Sequence, residues 1–197
     1  MLASTDFWRN PVTTTVIAAI IGSAGAVAGN WIQSRSNDKA LNQLRGQKEL
    51  DKISLQLSEF YSPFFMLRTQ SLALWRQLAD PGATPGSGQW SLIDHIEEIR
   101  AEVSEDRRLI VNNIIGINSS LVDLLEKKGG LLDQFPPPEP LLIFLSHAAA
   151  LKRYWELGTN IDPGKSAYVK FPKGVDESIS DSIVKLRDQL GIISSTA

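Results

Sequence analysis

The chain has 197 residues, a formal net charge of −2 and no cysteine. The missing thiols exclude cysteine nucleophiles, disulfides, thiolate zinc sites and iron–sulfur clusters. Basic and acidic residues are mixed along the chain with no basic stripe, so direct nucleic-acid binding is not expected, and two histidines, His95 and His147, are too few for most histidine-rich metal sites.

No charged residue stands between Arg9 and Arg35. The stretch 12–32 has the length of a helix that crosses a bilayer core, which needs roughly 20 residues. Trp8 and Trp31 flank it where amphipathic aromatic rings settle at the headgroups. A secretory signal peptide is the rival reading, since Ala26-Val27-Ala28 resembles a cleavage site, but the leading segment has a single Arg close to Asp6 and lacks a basic n-region. The expected organisation is a short extracytoplasmic N-terminus (1–10), a transmembrane helix (11–33), a polar helical stalk (34–49) and a cytoplasmic helical bundle (50–197). Orientation comes from the basic residues: only Arg9 precedes the span, whereas Arg35, Lys39, Arg45, Lys48 and Lys52 follow it.

At about 100° per residue, Thr15, Ala18, Ala19, Gly22, Ser23, Gly25, Ala26, Gly29 and Asn30 fall on one half of that helix. Val16, Ile17, Ile20, Ile21, Val27, Trp31 and Ile32 fall on the other. Small residues let membrane helices approach closely, and Gly25-x-x-x-Gly29 has the spacing of a packing face. Such a face serves self-association, packing against another membrane protein, or the lining of a pore; a Gly/Ala-rich anchor with chance segregation is the plainer alternative.

A 3-4 apolar spacing follows the stalk: Leu50, Ile53, Leu57, Phe60, Phe64, Leu67, Ser71, Leu74 and Leu78, interrupted only by Ser71. Pro63 inside it predicts a kink near Phe60-Tyr61-Ser62-Pro63. A loop rich in Pro and Gly covers 80–88. Ser91 with Asp94 resembles a capping box opening a helix with the stripe Leu92, Ile96, Ile99, Val103, Ile110, Ile114 and Ile117. A break is expected over 116–120, then a short amphipathic piece over 121–128 closed by Gly129-Gly130. Pro136–Pro138 precede a helix over 139–157 with Gly158 as its stop. The last helix is expected over 175–190, carrying Val175, Ile179, Ile183, Leu186 and Leu190 on one face. No alternating strand pattern appears. The fold class is all-α, a long kinked stalk helix and a helical bundle behind one membrane helix.

Three motifs have chemical readings. Gly164-Lys165-Ser166 has the end of a phosphate-binding loop, but the first glycine is one position out, a helix precedes it, and a turn at Asp162-Pro163-Gly164 is the simpler reading. Asp94, Glu98, Glu102 and Asp106 recur every four residues; di-iron bundles pair such carboxylates with Glu-x-x-His, which neither histidine completes, so no metal and no cofactor is expected and the ladder reads as a solvated face or a contact for a basic partner. Arg108, Asn113 and His147, with Asp106, Arg107 and Asn112 nearby, are the catalytic candidates: an acid–base histidine without an evident nucleophile. The structural alternative is a hydrogen-bonded cluster in the core.

Phe60-Tyr61-Ser62-Pro63-Phe64 after an anchor, Asn112-Asn113 on a later helix, His147 on another, and Phe171-Pro172 before the last helix resemble a set of bacterial single-pass membrane proteins. In layout they resemble the membrane accessory protein of type VI-B CRISPR systems, an anchor followed by a domain of the higher-eukaryote-and-prokaryote nucleotide-binding type. The resemblance implies a homo-oligomeric pore in the bacterial inner membrane that aids antiviral defence. Ribonucleases of that domain type carry Arg, four to six residues, then His on one helix; here Arg108 is followed by Asn113 where that His would stand. Three functional readings follow: a non-enzymatic homo-oligomer forming a pore or platform, an accessory subunit of a larger membrane complex, and a membrane-tethered ribonuclease using Arg108, Asn113 and His147.

Overall fold

A computed structural model describes residue 37 and residues 39–80, 83, 90–102, 105–158 and 170–196. The expected membrane helix with its face from Thr15, Ala18, Gly22 and Ser23 to Gly25, Ala26, Gly29 and Asn30 lies outside the described residues, as does Gly164-Lys165-Ser166. The chain divides into two units, one reaching Glu49 and one from Leu50 to Thr196. In the first, residues 39–49 are helical, and even their leucines, Leu41 and Leu44, stand about half exposed.

The second unit is all-helical, with no strand among the described residues. Residues 50–56 are helical and lead into a π turn, Leu57–Tyr61. Helix α1 (Ser62–Leu78), a 3-10 turn (Leu92–His95), α2 (Ile96–Ala101), α3 (Glu105–Lys128), a 3-10 turn (Gly129–Leu131), α4 (Glu139–Leu157) and α5 (Val175–Thr196) follow. The kink expected at Phe60–Pro63 takes the form of the π turn. Pro63 has no N–H to return to the carbonyl one turn back, and the neighbouring Ser62 N–H reaches five residues back to the Leu57 carbonyl. The extra residue rotates the buried stripe. Gln56 is buried beside Ile53, and on α1 the inward line is Phe64, Arg68, Ser71 and Leu78, while Leu67 and Leu74 are only half-buried.

Two expectations about the middle of the chain are corrected. The stripe from Leu92 to Ile117 is not one helix: Glu102 turns extended (φ −61°, ψ 143°) and ends α2. The break expected over 116–120 is absent, and α3 runs through it to Lys128. Ser119 and Ser120 donate their hydroxyls to the carbonyls of Ile115 and Gly116 one turn back, at 3.0 and 3.2 Å, so they do not compete for the helical backbone. The inward series Val111, Ile114, Asn118, Leu121, Leu125 keeps its 3-4 spacing across them. The capping box is absent as well. Ser91 makes no side-chain cap, and Asp94 instead pairs with Lys170 at 2.8 Å.

Burial forms two apolar clusters. One gathers Phe60, Phe64, Leu121, Leu141, Phe144 and Ile179 from α1, α3, α4 and α5 with their flanking turns. The other gathers Leu78, Trp90, Ile93, Ile96, Val111 and Leu151. Helices α1, α3 and α4 contribute to both and so bind them into one unit. Among the described residues one helix, Glu105–Leu131, is long and apolar enough to cross a membrane by length and composition; here its Val111, Ile114, Leu121 and Leu125 are buried in the bundle's core.

The ends of α4 match the sequence. Pro140 occupies its first turn, and Gly158 closes it in the left-handed region at φ 60°, returning its N–H to the Tyr154 carbonyl at 3.1 Å. A side chain at Gly158 would also meet the Arg100 guanidinium, which sits beside the helix C-terminus where a cation is favoured. Gly116, inside α3, has open space where a Cβ would stand. Gly158→Ala is therefore expected to lower stability by about 1–2 kcal/mol. Gly116→Ala should raise it by about 0.5–1 kcal/mol, since alanine loses less entropy than glycine in a helix. Chemical denaturation of the two variants checks the opposite signs.

Candidate functional site

The structure separates the residues that the sequence offered as a catalytic cluster. On α3 the inward positions are Val111, Ile114 and Asn118, which leaves Arg108, Asn112 and Asn113 on the exposed side. Asn113 borders an open groove of about 560 Å³ between α1 and α3 with Gln70, Asn112 and Ser120. Asn112 accepts a hydrogen bond from the Trp155 indole N–H at 2.6 Å, Arg107 pairs with Glu102, and Asp106 is exposed. His147 faces the other way: it is 5 % exposed on the inner side of α4. Arg108, Asn113 and His147 are thus not brought together: Arg108 and Asn113 are both exposed on α3, while His147 is buried on the inner side of α4. The carboxylate ladder is dispersed too. Glu98 stands beside His95 at 3.2 Å, and the break at Glu102 puts Asp106 on a different helix from Glu98. Among the described residues no group of His, Cys, Asp and Glu has the makings of a metal site.

His147 belongs to a different constellation, a cavity of about 70 Å³ inside the bundle. Helical spacing assembles it. Arg68, Ser71 and Trp75 stand at i, i+3 and i+7 of α1, Ile114 and Asn118 at i and i+4 of α3, and His147 and Leu151 at i and i+4 of α4. Trp90, Ser91 and Leu92 close one side, Lys170 and Phe171 another. Trp90 is held edge-on to Trp75 (centroids 5.5 Å) and stacked on His95 at 5.0 Å. Phe171 lies edge-on to His147 at 5.3 Å and to Phe144 at 6.0 Å.

Arg68 is the charged centre. It is 7 % exposed, its guanidinium carbon sits 4.2 Å from the centroid of the Phe171 ring, and its Nε and Nη2 donate to the two carboxylate oxygens of Asp176 at 2.7 and 3.1 Å. Burial pushes the guanidinium down from its usual value, and Asp176 opposes that shift. Asp176 lies in the first turn of α5, where a carboxylate is also favoured by the helix dipole. Ser71 and Asn118 are each 4 % exposed, and among the described residues neither side chain has a hydrogen-bond partner. These three residues were missed in the sequence. The one legible signal was Ser71, the only polar interruption of the α1 stripe; Asn118 fell in the stretch read as a helix break, and Arg68 stands one position off the expected stripe.

A second polar node stands apart from the cavity. Tyr61 donates to Asp133 Oδ1 at 2.6 Å and accepts from the Asp133 backbone N–H at 3.0 Å. Ser182 and Lys185 of α5 donate to the same carboxylate at 3.1 and 2.9 Å, and Gln56 donates to the Leu131 carbonyl at 2.9 Å. This node ties the π turn, the segment after α3 and α5 together. Burial, followed by the hydrogen bond to Asp133, pushes the Tyr61 hydroxyl up to about 12. Burial also pushes Asp133 up, but the bonds from Tyr61 and Lys185 outweigh it and hold the carboxyl below its usual range.

No protein-family model matches the chain, and comparison with curated proteins and with solved structures gives no match either.

Asp176→Ala is expected to cost about 2–3 kcal/mol, because it leaves a buried guanidinium without its anion; the half-exposed Asp176 keeps this below the ~3–5 kcal/mol of a fully buried pair. Lys127→Ala, which breaks an exposed pair with Asp123, should stay within about 0.5 kcal/mol. Denaturant midpoints of the two variants test the contrast.

The tyrosine node sets a pH window. Because Tyr61 is raised in the folded state, its contribution is fully present below about pH 10 and is lost as pH rises through about 12. Because Asp133 is lowered, its contribution is present at neutral pH and lost in acid, below about pH 4. Tyr61→Phe should flatten the alkaline arm of a stability–pH curve and cost about 1 kcal/mol at neutral pH. An unchanged alkaline arm in that variant would assign the loss to other groups.

Proposed function

We propose that the chain is a membrane-anchored, non-enzymatic homo-oligomer whose single transmembrane helix, at 11–33, assembles a pore or platform, with the helical bundle on the cytoplasmic side of a bacterial inner membrane. The observation that carries the reading is the sorting of the uncharged stretch 12–32 into a small, weakly polar half and a bulky aliphatic half. A helix surrounded by lipid alone gains nothing from that sorting, whereas a helix packed on its own copies does. The bundle supports the reading from the other side. Its apolar helix faces meet in two clusters within one unit, and the separation of the exposed Arg108 and Asn113 from the buried His147 favours a non-enzymatic reading over a ribonuclease. The role in antiviral defence rests on the resemblance to the membrane accessory proteins of type VI-B CRISPR systems.

Size analysis of the detergent-purified full chain, expressed alone, is expected to give a discrete homo-oligomer. Gly25→Leu and Gly29→Leu should dissociate it while leaving the helical circular dichroism and melting of the bundle unchanged, and Ile21→Leu should be tolerated. A monomer that orders only with a co-expressed partner would favour the accessory-subunit reading. The absence of native cysteine lets Ser4→Cys and Ser195→Cys report topology: an impermeant thiol reagent on intact cells should label the first and spare the second.

A further inference from the structure

The cavity around His147 has the composition of a binding site, and its chemistry narrows the ligand. Buried polar groups need partners, yet Ser71 and Asn118, each 4 % exposed, have none among the described residues. Since no fully enclosed side-chain N or O atom lacks a partner, the free hydroxyl and carboxamide open onto residual space, and both residues line the cavity. Arg68 spends two of its five N–H groups on Asp176, and no other hydrogen bond engages it among the described residues. Lys170 adds a second cation.

The wall is one-sided in charge. Among the described residues, Arg68 and Lys170 line it and no carboxylate does; their partners, Asp176 and Asp94, are partly exposed to solvent and stand outside the lining. Two cations without a facing carboxylate among the described lining residues suit an anionic acceptor and penalise a cation. Trp75, Trp90, Leu92, Ile114, Leu151 and Phe171 supply apolar wall, and an apolar surround strengthens charge-assisted hydrogen bonds. Size sets the last limit. About 70 Å³ is well below the several hundred Å³ of pockets that hold drug-sized ligands, which favours a small ion over a nucleotide.

We propose that this cavity binds a small oxyanion of carboxylate size, held by Asn118, Ser71 and Arg68, with His147 and the aromatic rings closing around it. The site is independent of the membrane reading, because every residue in it belongs to the unit from Leu50 to Thr196. It adds a ligand-responsive centre to the helices that hold the bundle's two apolar clusters together, α1, α3 and α4.

The test titrates acetate and its neutral isostere acetamide into the full chain in detergent, at constant ionic strength and pH 7. Tryptophan fluorescence is the first readout, since Trp75 and Trp90 line the cavity, and melting temperature is the second. Four non-hydrogen atoms limit the affinity to a Kd of roughly tens of micromolar or weaker. Acetate is expected to give a saturable signal and a raised melting temperature, with acetamide at least ~10-fold weaker. Asn118→Leu should weaken acetate ~10-fold or more and Ser71→Ala about three- to tenfold. Should Asn118→Leu fail to fold by circular dichroism, Ser71→Ala decides the matter. No saturable response to acetate would make the cavity a water-filled void and overturn the proposal. Equal binding of acetate and acetamide, or unchanged acetate binding by the folded variants, would do so as well.

Discussion

Arg68 is a permanent cation placed on the inward face of the longest apolar stripe in the chain, and the arrangement around it follows from the cost of leaving such a group unpaired. Water is excluded from most of its surface, so the guanidinium needs an anion of matching shape, and Asp176 supplies both oxygens in a bidentate pair. That contact fixes where α5 begins relative to α1. The flat face of the guanidinium lies near the Phe171 ring, which places the segment before α5, and Phe171 in turn packs against His147 and Phe144 of α4. One charged side chain therefore specifies two neighbours, Asp176 and Phe171, through directional contacts that an apolar residue cannot impose. Its energetic return is modest, because desolvation consumes much of the attraction.

The apolar clusters surround that polar centre. Helix α3 has its inward series in register with both clusters, and α1 and α4 bracket it. At Asn118 the series turns polar, level with Ser71 and His147 on the facing helices. A leucine at each of those positions would fill the space by dispersion alone. Polar residues leave a cavity whose walls carry hydrogen-bonding capacity, and this contrast with the otherwise apolar interior sets the region apart from ordinary core. The Tyr61–Asp133 node shows the opposite outcome. There a buried hydroxyl and a carboxylate are fully met by protein donors, leaving nothing over for a ligand, and the node serves to lock the π turn against α5.

The proposed division of labour assigns assembly to the uncharged N-terminal stretch and ligand response to the bundle. Packing in lipid rewards close backbone approach, for which glycine and alanine suffice, whereas an aqueous bundle gains from burying Phe, Ile and Leu. The two kinds of residue are segregated accordingly: small residues crowd the stretch 12–32, while the aromatic core begins at Phe60.

The sequence by itself determined what depends on neighbours along the chain. The all-helical class, Gly158 as the stop of α4, the proline-led start of that helix and the 3-4 stripe of α5 follow from period, capping and backbone freedom, which act within a turn or two. The disturbance near Pro63 was legible for the same reason, though its form as a π turn was not. Tertiary structure decided the rest. Whether Gly116–Ser120 breaks a helix depends on packing along the whole of α3, and a run of Gly, Asn and Ser that reads as a terminus is carried through once Ile114, Leu121 and Leu125 are buried. Arg68 and Asp176 are 108 positions apart, and no local pattern announces that a particular arginine will meet a particular aspartate. Asn113 and Asn118 look alike in sequence, yet five residues along a helix amount to about 500°, which puts one on the outer face and the other inside. The choice of which amide faces the cavity was made by the helices that pack there.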